Sequence, residues 1–180
     1  MPRPAARPYI YERKRATKAP CAAKAPVMLN DVYNKRILEL AADIPRQGRL
    51  PTPHASATAH SKLCGSTVTI DLSLDDGKVS DFAHDVKACA LGQASSSIMA
   101  RNVVGSTPAE LREVRETVRR MLKENGAPPQ GKWTDIAVLE PVRDYKARHA
   151  STLLTFDAVV KALDEIEQRL PASAGAAAGA

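Results

Sequence analysis

The chain is predicted to fold as an α+β protein, with a small antiparallel three-stranded sheet packed with about five helices in a single domain. Three observations carry this expectation. Val68–Leu74 alternates cleanly, with Val68, Ile70, Leu72 and Leu74 on one face. Asp75-Asp76-Gly77 is a hairpin signal, and Lys78–Val86 returns as the partner strand with Val79, Phe82 and Val86 among its apolar residues. Apolar residues at helical spacing lie on both sides of this hairpin. At 180 residues the length suits one domain with a sizeable core.

In chain order, Asn30 can cap a helix running to about Asp43, with Tyr33, Ile37, Leu40, Ala41 and Ile44 as its buried stripe. Pro45 and Gly48 end it, and residues 45–55 read as loop. Ala57–Leu63 is the expected first strand. After the hairpin, Cys89–Val103 is rich in Ala and Ser, which suits a helix packed closely on the sheet. Thr107-Pro108-Ala109-Glu110 is a capping box with Pro at the first helical position. The helix it opens carries Leu111, Val114, Val118, Met121 and Leu122 and runs to about Glu124, where Asn125-Gly126 stops it. Trp133–Leu139 is expected as a short helix ended before Pro141. The last helix spans about Arg148 to Leu170, with Leu153, Phe156, Val159, Val160, Leu163, Ile166 and Leu170 inward.

Charge is distributed unevenly. Residues 1–27 hold seven basic residues and the single acid Glu12, which accounts for the whole net charge of +6. The rest of the chain holds 19 basic and 19 acidic residues. A neutral body argues against phosphate-backbone recognition, so no nucleic-acid partner is expected. Residues 1–27 are rich in Pro, Ala and basic residues without apolar periodicity and are expected to be a disordered extension, with Met28 the natural start. Residues 171–180 are expected to form a frayed Ala-rich tail. No run of apolar residues is long enough to span a membrane. Three cysteines, one of them in the extension, fit a reducing compartment rather than a disulfide framework, and a cytoplasmic location is expected.

Two of those cysteines stand out. Cys64, in Ser61-Lys62-Leu63-Cys64-Gly65-Ser66, sits just before a strong strand, and Cys89, 25 residues later, opens a small-residue helix. Thiolates beside turn amides and a helix N-terminus are placed for metal binding or sulfur chemistry. His149 is a further candidate ligand, and His60 a weaker one. Lys87 can favour the Cys89 thiolate by attraction. His54 and His84 read as solvated or structural. Ser95-Ser96-Ser97 lacks a nucleophile elbow and reads as packing. There is no phosphate loop, dinucleotide fingerprint or catalytic carboxylate pair, so the chain does not read as an enzyme.

The stretch from Lys62 to Asn102 resembles the NifU/IscU-type iron–sulfur cluster assembly scaffold family. The carriers are Cys64-Gly65 before a hairpin and Cys89 followed by Gln93-Ala94-Ser95-Ser96-Ser97-Ile98-Met99. Leu29–Leu40 and Val142–Leu154 are similar to the family's first and last segments, and the likeness covers about Met28 to Leu170. It implies a scaffold that binds iron and sulfide through cysteine thiolates and passes a transient cluster, a [2Fe–2S] centre, to recipient apo-proteins, with a cysteine desulfurase as sulfur donor. The chain departs from the family pattern at two points. Ser66 stands where the family has Asp, and Ala150 or Ser151 stands where it has a third Cys. Either a homodimer pooling two cysteines per subunit, or metal binding through Cys64, Cys89 and His149 together with an exogenous thiol, would then complete the site, unless the chain keeps the fold for another task and builds no cluster. The alternatives are a zinc-binding or regulatory interaction module on the same fold, and a sulfur acceptor carrying a persulfide on Cys64 or Cys89.

Overall fold

The computed structural model describes residues 35–169. The expected extension 1–27, the Asn30 cap, Tyr33 and the Ala-rich tail therefore lie outside the described residues. Within them the order is α1 (Lys35–Ala42), β1 (Ala55–His60), β2 (Thr67–Asp75), β3 (Lys78–Lys87), α2 (Ala90–Asn102), α3 (Pro108–Lys123), a 3-10 segment (Gly131–Asp144) and α4 (Lys146–Arg169). The sheet is three-stranded and antiparallel in the order β1-β2-β3.

The hairpin forms as its sequence dictates. Asp76 and Gly77 adopt φ of 46° and 70°, the left-handed pair that matches strand twist in a two-residue turn. Alternation then places Val68, Ile70 and Leu72, all fully buried, on the face that receives the helices. The register breaks between Ser73 and Leu74, where a bulge ends the clean alternation and leaves Leu74 only half-buried.

The opposite face of β2 is not solvated as alternation alone implies. Asp71 is fully buried there. Arg49 grips its carboxylate with two bonds of 2.6 and 2.8 Å, and the Leu50 N–H adds a third at 3.0 Å. The loop after α1 thus binds the central strand. It also runs beside β3, where His84 N–H donates to Arg46 O and Gly48 N–H to His84 O.

Three elements differ from expectation. β1 begins at Ala55 and ends at His60 rather than Leu63, because the Ser61 N–H turns to donate to Ser66 O at 2.9 Å. The short helix expected over Trp133–Leu139 is a longer 3-10 segment, Gly131–Asp144, which runs through Pro141. The capping box is half-formed. Thr107 Oγ1 accepts from the Glu110 N–H, but the Glu110 carboxylate turns to Trp133 Nε1 and Lys132 Nζ at 2.7 and 2.9 Å. This fastens the 3-10 segment to α3. From the 3-10 segment, Trp133, Ile136, Leu139 and Val142 join the core. No helix among the described residues is long and apolar enough to cross a membrane.

Candidate functional site

β2 begins at Thr67, paired with His60 at the end of β1 and with Lys87 at the end of β3. The β1–β2 turn carrying Cys64 and the exit from β3 carrying Cys89 therefore lie at one end of the sheet. The turn is closed twice, by Ser61 N–H to Ser66 O and by Gly65 N–H to Ser61 O, both at 2.9 Å. Gly65 has φ of 67°, so this reversal needs glycine directly after the cysteine.

The closed turn folds hydroxyls around the sulfur. Ser61 Oγ and Ser66 Oγ lie 3.2 and 3.1 Å from Cys64 Sγ, and the Ser151 hydroxyl is a third neighbour from α4. Burial pushes the Cys64 thiol up, but these three hydroxyls and the Ser66 backbone favour the thiolate and together bring its pKa down to about 7. The residue standing in place of the family's Asp is thus one of three hydroxyl neighbours of the sulfur.

Cys89 occupies the N-cap of α2 with extended backbone (φ −66°, ψ 168°), and its side chain makes no capping bond. It is half-buried against the apolar core. The helix behind it is lined with buried Gly92, Ala94, Ser95, Ser96 and Ser97, as its composition predicts. Gly92 explains why small residues matter there. A Cβ at this position would lie 2.8 Å from Ala88 Cβ and 3.2 Å from the Ser151 carbonyl oxygen. The start of α2 thus touches the start of α4, and Ser151 borders Gly92 with its backbone and Cys64 with its side chain.

In the segment opening α4, which the resemblance aligns with a third cysteine, Ser151 is the residue that reaches Cys64. It is fully buried and also donates to Arg148 O at 3.0 Å. Ala150 is exposed and faces an open cleft of about 470 Å³ with Lys123, Lys146 and His149. Residues two apart on a helix point some 200° apart, so His149 and Ser151 face opposite ways. His149 Nε2 is bonded to Arg143 O at 3.0 Å. The three-ligand set of Cys64, Cys89 and His149 is therefore not assembled: among the described residues, no group of three or more His, Cys, Asp or Glu is placed to hold a metal.

The remaining candidates have plain roles. His60 Nδ1 pairs with Thr67 Oγ1 at 3.1 Å, and Lys87 pairs with Asp85 at 3.3 Å on the surface. His84 is fully buried with Nε2 2.9 Å from Pro45 O, a structural histidine. His54 Nδ1 accepts from the Leu74 N–H. Cys21 lies outside the described residues.

A family model described as the NifU-like N terminal domain matches residues 32–152. The chain belongs to this family. A crystal structure described as a nitrogen-fixing NifU-like protein (N-terminal) from Brucella abortus is 63% identical, with a TM-score of 0.78, covering 79% of this chain and 99% of that one. An iron–sulfur cluster assembly scaffold protein IscU from Thermotoga maritima is 24% identical over 137 residues, 76% of this chain and 96% of that protein. A protein of the same name from Streptococcus pyogenes serotype M1 is 22% identical over 135 residues, 75% of this chain and 84% of that protein. Against this NifU-like background, Ser61 and Gly92 have no assignment in the sequence reading, and Ser66 and Ser151 stand in it only as departures from the family pattern. Ser61 and Ser66 carried a legible signal, since they bracket the Cys64-Gly65 turn at −3 and +2. Gly92 and Ser151 depend on a contact between two helices far apart in sequence.

Proposed function

We propose that this NifU-like chain is a scaffold on which iron and sulfide are assembled into a cluster and handed to recipient apo-proteins, with Cys64 and Cys89 as the iron-binding thiolates. The observation that carries this reading is a thiol enclosed by the hydroxyls of a doubly closed turn, at the same end of the sheet as a second thiol at a helix N-terminus. Both are half-buried, so each is reachable by a metal ion yet shielded on one side. A thiolate that forms at pH 7 takes iron without a strong base, and an incompletely ligated site lets the cluster leave. Cargo is held and released, and no substrate is turned over. The sulfur donor that fits is a cysteine desulfurase, and the free Cys64 and Cys89 fit a reducing compartment such as the cytoplasm.

A second reading is favoured by the hydroxyls around Cys64 alone. A Cys64 thiolate can attack the terminal sulfur of a donor's persulfide. A new S–S bond forms on Cys64, the donor's S–S bond breaks, and the donor leaves as a thiolate. This step can precede cluster building or stand by itself. A zinc module fits less well, since the described residues offer zinc two thiols and no third donor.

The test is anaerobic reconstitution with ferrous iron and sulfide. Under the scaffold reading the chain acquires visible sulfur-to-iron absorption and acid-labile sulfide, and Cys64→Ser and Cys89→Ser each lose both while keeping the far-ultraviolet circular dichroism of the parent. A chain that takes up zinc but neither iron nor sulfide would sink this reading.

A further inference from the structure

We propose that the outer edge of β1 is a docking strand for an extended, acid-bearing segment of a visiting protein, which pairs with it by strand addition beside the thiol turn. The proposal rests on the scaffold reading above and names how a donor or recipient is held. β1 is one margin of the sheet, whose order is β1-β2-β3. Successive residues of an antiparallel strand turn both backbone groups toward the neighbour, then away from it. Ser61 N–H donates to Ser66 O at 2.9 Å, which continues the β1–β2 ladder and fixes its phase. Ala55, Ala57 and Ala59 therefore point their N–H and C=O at β2, and Ser56, Thr58 and His60 point theirs outward. Two contacts agree with that phase. Lys161 Nζ reaches Thr58 O from α4 at 3.4 Å. Across the sheet the same phase turns His84 outward on β3, and its N–H and O are the ones bonded to Arg46 and Gly48.

The two margins differ in what covers them. On β3, loops take up the outward groups of Val79 and His84. On β1, among the described residues, nothing is bonded to the outward N–H of Ser56, Thr58 or His60, and one exposed lysine side chain meets Thr58 O. Ser56 and His60 are exposed. β1 has no proline, and its register with β2 runs unbroken, so it presents a regular template. Charge says which visitor fits. Arg49 Nη2 lies 2.9 Å from Ser56 Oγ, Lys161 sits at Thr58 O, Arg169 Nη1 bonds His54 O at 3.0 Å, and Lys62 follows just beyond the strand. The acids nearby, Asp71 and Glu165, are paired with Arg49 and Arg169. Lys62 and Lys161 have no ion-pair partner among the described residues and are available to a visitor's carboxylates. A second copy would bring the same cations to the contact, and residues 1–27 carry seven basic residues against the single acid Glu12, so neither fits this edge. Beyond His60 the chain enters the turn bearing Cys64, so a segment laid along β1 is led to that thiol.

The experiment uses the full chain, free of iron and reduced. The probe is an acetylated and amidated peptide alternating glutamate with valine, about as long as β1, compared with its lysine–valine counterpart. Affinity is read by calorimetry and backbone protection by amide hydrogen exchange. The glutamate peptide should bind, more weakly as salt rises, and slow exchange at Ser56, Thr58 and His60. The lysine peptide should bind several-fold less tightly. Thr58→Pro removes an outward N–H without touching the ladder to β2, a place where an edge strand tolerates proline, and should weaken binding about tenfold with an unchanged circular dichroism spectrum. Lys161→Glu, at an exposed position, should narrow the preference between the two peptides, and it decides the matter if Thr58→Pro fails to fold. No binding of the glutamate peptide, protection confined to other amides, or equal binding of both peptides overturns the proposal and leaves the scaffold reading standing. Self-association without peptide that Thr58→Pro abolishes assigns the edge to a second copy and overturns it as well. Peptide binding as expected by a chain that takes up no iron and sulfide on reconstitution keeps the docking edge and sinks the scaffold reading.

Discussion

Gly92→Ala tests the contact on which the site geometry depends. In an exposed helix this substitution would stabilise by about 1 kcal/mol, because glycine is the poorer helix former. At Gly92 the new methyl meets Ala88 Cβ at 2.8 Å and Ser151 O at 3.2 Å. Neither neighbour is the far end of a flexible chain, so relief requires moving backbone. Overpacking of this kind costs about 1–3 kcal/mol, and two rigid contacts put it near the upper end. The net expectation is a loss of roughly 2 kcal/mol, equivalent to about 7 °C in melting temperature for a domain of this size. Urea denaturation should show a lower midpoint with an unchanged slope. Ala88→Gly in the same chain removes the nearer contact and should recover part of the loss, a coupling of roughly 1 kcal/mol between the two positions. A melting temperature equal to or above the wild type would refute the reasoning, since it would mean that helix propensity outweighs packing and that α2 and α4 are not in contact here.

Cys64 should be alkylated by iodoacetamide along a pH profile with its midpoint at about 7, and Ser66→Ala or Ser151→Ala should move that midpoint upward; an unshifted profile in both variants would remove the hydroxyls as the cause. For Asp71, burial pushes the carboxyl up, but the bonds from Arg49, Ser56 and Leu50 outweigh it and hold it below the ordinary 3.8. Its stabilisation is therefore present above about pH 4 and is lost as pH falls further. Asp71→Asn should cost roughly 2–3 kcal/mol at pH 7 and progressively less as pH falls below about 4, read as urea midpoints across that range. His84 is held below 6.5 by burial, against smaller opposing effects from the Pro45 carbonyl and Asp85. The unfolded chain thus binds the proton first, and stability should fall as pH drops below about 6.5. His84→Gln should flatten that slope, and an equally steep slope in the variant would assign it elsewhere.

The parts of the fold that are legible in sequence are those whose causes are local. Asp76-Gly77 sets the hairpin by its own backbone preference, and Thr107-Pro108 starts α3 by satisfying its own first turn. The stripes Leu111–Leu122 and Leu153–Ile166 announce their buried faces by spacing alone. What escaped reading depends on distant partners. Asp71 belongs on a solvated face by alternation, and only the loop carrying Arg49 turns that face inward. Pro141 argues for ending a helix, yet a 3-10 segment passes through it, with Trp133 tied to Glu110 on α3. In the site, Cys64 and Cys89 are visible from their turn and helix-start contexts. The choice between Ala150 and Ser151, and the exclusion of His149 from the thiols, needed the phase of α4. That phase is set where Ser151 packs against Gly92, 59 residues earlier in the chain.

The closed edge of β3 bears on how other proteins can reach this one. Its free backbone groups are taken up by Arg46 and Gly48 at one point and by Gly105 and Ser106 at another, where Val79 N–H donates to Ser106 O and Gly105 N–H to Val79 O. These two contacts interrupt the ladder that a visiting peptide would extend on that side of the sheet, which disfavours strand addition there. At this edge a visitor would meet side chains and shape rather than a free backbone ladder. At the thiol end the exposed side chains of Lys62 and Leu63 stand on the turn beside Cys64, so substitutions there would alter the surface a visitor meets while leaving the strands beneath untouched.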